Sequence, residues 1–142
     1  MSPRPRPRPA PPSGQPPPRQ VALADGTEVD LEAVATEVCA RYAAEYPDEQ
    51  ARYGDAGRDW CVHDNQHLVN WAVLDTREYV SLEDQVSWLA KVLEARDFPL
   101  DRLARDLDIA AAVVGERVPG GGPVAAALTR AGAMVRSRPT FL

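Results

Sequence analysis

Between Leu31 and Val135 the apolar residues recur at intervals of three and four in successive runs, and no stretch alternates as a half-buried strand would. That periodicity specifies amphipathic helices and leaves little for a sheet. The first run starts after Asp30, a good N-cap, and carries Leu31, Val34, Val38 and Tyr42 before Pro47 stops it. The second spans about Arg58 to Asp75, with Trp60, Asp64, His67, Leu68, Trp71 and Leu74 on one stripe. Ser81 caps a third, with Leu82, Val86, Leu89 and Leu93, and Asp84 completes an approximate capping box. Phe98-Pro99 breaks the chain before a fourth run of Leu100, Leu103, Leu107, Ala110, Ala111 and Val114. VPGGGP, residues 118–123, is the strongest loop signal, and Pro123 at a first helical position opens a fifth, Ala-rich helix to about Arg136. The fold class expected is all-α, a compact bundle of about five helices. Arg138 to Leu142 reads as a frayed end.

Two segments precede the helices. Residues 21–29, VALADGTEV, form an apolar–turn–apolar lead-in centred on Asp25-Gly26, with the signal of a small hairpin. Residues 1–20 hold nine of the 14 prolines, four arginines and no acid. With fixed φ, missing donors and little to bury, this reads as a disordered Arg-Pro tail with polyproline II character. The domain organisation expected is therefore a tail over 1–20 and a helical domain over 21–142.

Charge divides along the same line. The chain carries −5 and the tail +4, which leaves −9 on residues 21–142. Nucleic acid is not expected as a partner of so acidic a domain. Four arginines are few for a phosphate-binding arm, so the tail reads as a solubilising extension or linker, with contact to an anionic or acidic surface as the alternative. No apolar run reaches the roughly 20 residues that span a bilayer, and the first 19 residues lack the apolar core of a secretory signal. No membrane association and a cytoplasmic location are the expectation. Cys39 and Cys61 are read as separate buried hydrophobes, since two thiols make no disulfide framework and no zinc spacing.

Chemistry concentrates in residues 59–75, DWCVHDNQHLVNWAVLD. Asp64 and His67 fall on the apolar stripe, where polar groups are costly unless paired. Three readings account for them. His63, Asp64 and His67 are candidate metal ligands, although di-iron bundles require a second carboxylate–His pair that the chain lacks. HDNQH also lacks the glutamate of a zinc metalloprotease helix. Trp60, Asp64, His67 and Trp71 are candidates for the wall of a ligand or haem pocket. In the third and default reading, Asp64 and His67 satisfy each other or the backbone in a filled core while His63 is exposed. Cys61 and His63, two apart, point to different faces and make no nucleophile pair. There is no GxSxG, P-loop or dinucleotide fingerprint, and Gly120 to Gly122 lack the strand and lysine of a phosphate loop. No cofactor is identified and no enzymatic reaction is assigned.

The segments DWCVHDNQHL and WLAKVLEARDFPLDRLARDLDI resemble small all-helical sensory or regulatory domains of actinobacteria, both non-haem globin-like modules and those that accompany corrinoid-binding regulators. The likeness covers roughly residues 31–115 and carries over no site residue. An arginine-rich chain with Lys91 as its only lysine fits the GC-rich genomes of that group. The resemblance implies a domain that senses or transmits through helix packing. The expected function is thus a helical regulatory or protein-interaction domain that senses a small ligand, with a protein partner or self-association. The alternative is a metal- or haem-binding helical protein with redox activity.

Overall fold

A computed structural model describes residues 16–142. A short antiparallel hairpin, β1 (Gln20–Ala22) and β2 (Glu28–Asp30), leads into five helices: α1 (Leu31–Glu45), α2 (Asp48–Thr76), α3 (Leu82–Ala95), α4 (Leu100–Arg117) and α5 (Gly122–Ser137). The hairpin pairs Val21 with Val29 about the expected Asp25-Gly26 turn, in which the Thr27 amide donates to Asp25 Oδ1 at 2.9 Å. Two strands are marginal alone, and this pair is braced by α2, where Arg77 donates to the Ala22 carbonyl.

The caps explain the helix starts. Asp30 accepts from the Ala33 amide and Ser81 from the Asp84 amide, each satisfying an orphan first-turn donor. The second helix begins ten residues earlier than its stripe indicates, at Asp48, and is broken within by Gly54 at φ 64°, ψ −157°. That conformation is open essentially to glycine alone. It divides α2 into a short opening stretch bearing Tyr53 and a long stretch bearing the polar residues of interest.

The core is one cluster of leucine, valine and alanine, with Leu31, Leu68, Leu89, Leu107 and Leu128 among its fully buried members. α4 and α5 make the most extensive helix contact, and α2 packs on α1, α3 and α5. Gly132 lets α5 approach α4 closely, because a Cβ there would come within 2.9 Å of Asp108 Oδ1 and 3.3 Å of the Ala104 carbonyl. Helix packing at such a distance favours small residues, and Ala104, Ala127 and Ala131 supply them.

Both ends of the described chain are tied down. The Leu31 amide donates to the Arg19 carbonyl, and Gln66 Nε2 donates to the Pro18 carbonyl at 3.0 Å. Pro18 to Gln20, read as part of the tail, therefore lie on the helical domain, while residues 1–15 of that tail are outside the described residues. The C-terminus is not frayed. Phe141 is buried, its amide donates to Glu94 Oε1, and Thr140 Oγ1 donates to Glu94 Oε2. A buried aromatic ring outweighs the entropy of ordering five terminal residues whose amides and hydroxyls find partners. No helix among the described residues is long and apolar enough to cross a membrane.

Candidate functional site

A cavity of about 130 Å³ opens between the first half of α2 and the corner where α3 turns into α4. Its walls are mostly apolar. Trp60 and Tyr53 come from α2, Leu89 and Leu93 from α3, Phe98 from the corner and Leu103 from α4. Gly57, one turn after the break at Gly54, also lines it and offers no side chain to fill it.

The polar wall is built by α2 and α4. Asn65 is 2% exposed and Asp106 is 7% exposed, so both count as core residues that happen to be polar. Asn65 Nδ2 donates to Asp106 Oδ1 at 3.0 Å and to the Cys61 carbonyl at 2.9 Å. Two acceptors facing one end of the amide fix its orientation, since only the NH₂ end can satisfy both. The other end, Asn65 Oδ1, is buried with no hydrogen-bond partner among the described residues. Burial pushes the Asp106 carboxyl up to about 7; the Asn65 hydrogen bond opposes that rise and the Asp64 charge adds to it. No arginine or lysine pairs with Asp106 among the described residues. Asp64 also lines the cavity, with its side chain 15% exposed. Burial raises its pKa, and the His63 hydrogen bond, Nδ1 to Oδ1 at 3.3 Å, works in the opposite direction.

Of the remaining charges on the wall, Arg96 acts on Asp64 through its charge, while Arg102 and Glu49 are matched directly. Arg102 donates to Glu49 Oε1 at 2.7 Å and to Asp48 Oδ2 at 3.0 Å, and its guanidinium lies over the Tyr46 ring. Glu49 also accepts from the Tyr42 hydroxyl, at 2.7 Å. Burial and that carboxylate hold the Tyr42 phenol far above its ordinary range.

Of the four residues read as a pocket wall, the structure brings Trp60 and Asp64 to the cavity. His67 and Trp71 do not line it. They contact each other instead at a tilt, ring centroids 5.5 Å apart, and His63 meets His67 in the same tilted way at 4.8 Å. His63 is not the exposed residue of the third reading: its side chain is only 12% exposed and contacts Asp64. Tilted ring contacts at one-turn spacing bring the two imidazoles and the indole together along one side of α2. Among the described residues, no group of three or more His, Cys, Asp or Glu is placed to hold a metal ion, so His63, Asp64 and His67 do not form such a set.

The cysteines require a correction. Cys39 on α1 and Cys61 on α2 form a disulfide, with Cα atoms 6.0 Å apart. They are neither free nor separate. Each falls on the face its helix turns toward the other, and the packing of α1 on α2 closes the gap. The pairing also removes the free-thiol argument for a reducing compartment. Asn65 Nδ2 lies 3.5 Å from both sulfurs, so the disulfide backs the polar wall.

Sequence reasoning overlooked Asn65 and Asp106. Asp106 stands three residues after Leu103 and four before Ala110, on the stripe of α4, and Asn65 stands three before Leu68. The helical period therefore places both inward. Compared with known protein families, with functionally characterised proteins and with solved structures, the chain matches none.

Proposed function

We propose that this protein is a helical regulatory domain that binds a small ligand in the cavity between α2 and the α3–α4 corner. The observation that carries the reading is Asn65 Oδ1, buried and without a partner among the described residues, next to Asp106, a buried carboxyl whose hydrogen bond comes from Asn65 and not from a cation. A buried polar group left unmet costs about 1–3 kcal/mol, and leucine at either position would avoid that cost. A concave, largely apolar site with a few convergent polar groups is what a small-molecule site requires. The cavity is near the size of an engineered one that accepts benzene, which favours a small ligand over a haem macrocycle. Neither His63 nor His67 lines it, so no histidine is offered there as an axial ligand.

Output runs through α3. This helix gives Leu89 and Leu93 to the cavity and carries Trp88, 43% exposed, on its outer side. A ligand that favours one placement of α3 alters the surface around Trp88, which serves as the contact for a protein partner or a second copy. The test is a fragment library screened against the full chain by thermal shift, with binding located by the Trp60 indole and Asn65 amide resonances. Fragments that raise Tm and move those resonances are expected, and Asp106→Leu abolishes both effects. A library that leaves these resonances unmoved overturns the reading.

A further inference from the structure

The Cys39–Cys61 disulfide is not sealed inside the core. A second cleft, of about 60 Å³, runs between α1 and the first half of α2, and both cysteines lie on its wall. Gly54 and Gly57 line it as well, and a Cβ built at Gly54 would meet nothing within 4 Å, so the break in α2 leaves that side of the cleft unfilled. A water-sized group takes about 10–15 Å³ of such space, which gives the cleft room for a CH₂–S⁻ arm. The two sulfurs are not equally open. Cys61 is half-buried and also lines the larger cavity, whereas Cys39 is 3% exposed.

Access and the stability of the departing thiolate decide how readily a disulfide exchanges. A thiolate buried among apolar groups is a poor leaving group, because burial favours the neutral thiol. Here Asn65 Nδ2 lies 3.5 Å from each sulfur, and a hydrogen bond strengthens when its acceptor becomes charged. A thiolate released at Cys39 therefore finds a donor already in place. Two charged groups line the cleft. Glu49 is engaged by Arg102 and by the Tyr42 hydroxyl, and Arg58 adds a positive charge that favours an incoming thiolate over its thiol.

We propose that Cys39–Cys61 is a thiol–disulfide exchange site for small aliphatic thiols, entered through this cleft. A thiolate RS⁻ attacks Cys61 Sγ. The new RS–Sγ bond forms as the bond between the cysteines breaks, and the electron pair leaves on Cys39 Sγ, beside Asn65 Nδ2. The product is a mixed disulfide on Cys61 with Cys39 as the free thiolate. A second RS⁻, attacking the outer sulfur, expels Cys61 and leaves RSSR. Two thiols are then oxidised to one disulfide, the protein disulfide is reduced to two thiols, and the protons lost by the former return to the cysteines. Opening the bond uncouples α1 from α2 close to the Gly54 break. The exchange does not depend on a ligand in the larger cavity.

The experiment incubates the oxidised full chain with 2-mercaptoethanol while circular dichroism shows the fold intact. Free thiols are trapped by alkylation and located by mass spectrometry. The adduct is expected on Cys61 with the alkyl group on Cys39, at a rate that stays flat in urea well below the unfolding midpoint. Ala43→Phe, which fills the cleft from α1, is expected to slow the exchange at least roughly tenfold with Tm within a few degrees of the wild type. A rate that rises with urea in step with the unfolded population marks a bond that opens only on global unfolding, and overturns the proposal. An adduct on Cys39, or a folded Ala43→Phe variant that exchanges at the wild-type rate, overturns it as well. Should Ala43→Phe fail to fold, the urea dependence and the site of the adduct decide the matter alone.

Discussion

Asp106→Asn separates the electrostatic cost of the polar wall from its packing. Burial pushes the carboxyl from the ordinary aspartate value of 3.8 up to about 7 in the folded chain. The native state therefore binds this proton more tightly than the unfolded state does. The associated stability is fully present below 3.8, declines as pH rises toward 7, and is gone above it. At ~1.4 kcal/mol for each pH unit between those limits, ionised Asp106 costs on the order of 4 kcal/mol, and relaxation around the charge reduces this to roughly 2–4. Asparagine keeps the shape and still accepts from Asn65 Nδ2 through its Oδ1, but never ionises. At about pH 4 the variant should match the wild type to within ~1 kcal/mol. At about pH 8 it should be the more stable by roughly 2–4 kcal/mol, near 10 °C in Tm. Urea unfolding followed by circular dichroism across this range measures the difference. Subtraction cancels the exposed carboxylates held low by their partners, Asp48, Glu94 and Glu116, whose stabilising effect disappears toward acid instead. Parallel profiles for the two proteins would refute the assignment of a buried, unpaired carboxyl at this position.

Two further outcomes follow from the anchoring contacts. Replacing Cys39 and Cys61 by alanine frees a cross-link between residues 22 apart, and chain entropy puts the loss at about 3 kcal/mol; a urea midpoint insensitive to the replacement, or to reductant, would contradict it. A chain beginning at Val21 loses the bonds from Gln66 to Pro18 and from Leu31 to Arg19 and the Gln20–Asp30 pair of the hairpin, so it should melt several degrees below one beginning at Pro16; equal melting temperatures would show that these contacts contribute nothing to the fold.

The fold was legible because each helix announces itself locally. Asp30 and Ser81 cap, Pro99 and Pro123 start, and the leucine and valine stripes of α3 to α5 have a period that only one secondary structure satisfies. The start of α2 was not legible, since glycine is a poor helix former and nothing local distinguishes Gly54, which breaks the helix, from Gly57, which does not. The end of the chain was misread for a different reason. The burial of Phe141 depends on Glu94, a surface-type residue on another helix that becomes a cap for the terminal amides.

The site illustrates where local pattern stops carrying information. On α2 the stripe through Trp60, Asp64, His67 and Trp71 is one face by spacing, but a helix surrounded on several sides has no single inner face. Trp60, Cys61, Asp64 and Asn65 turn to the cavity, Gln66 to the hairpin, and His63, His67 and Trp71 to one another. The residues that define the chemistry lie on the boundaries between these faces. Asn65 meets Asp106 across a separation of 41 residues, and Cys39 meets Cys61 across 22. Periodicity places each of the four inward, but no periodicity relates one helix to another. What marks the site physically is that Asn65, with the disulfide on one side and Asp106 on the other, has its donor used and its acceptor unused. An apolar core would have filled that space, and a purely structural polar core would have paired the oxygen. The unpaired oxygen, buried behind a cavity walled by aromatic rings and by Asp64 and Asp106, is a departure from ordinary core packing, and it falls where the helices leave space instead of where they close.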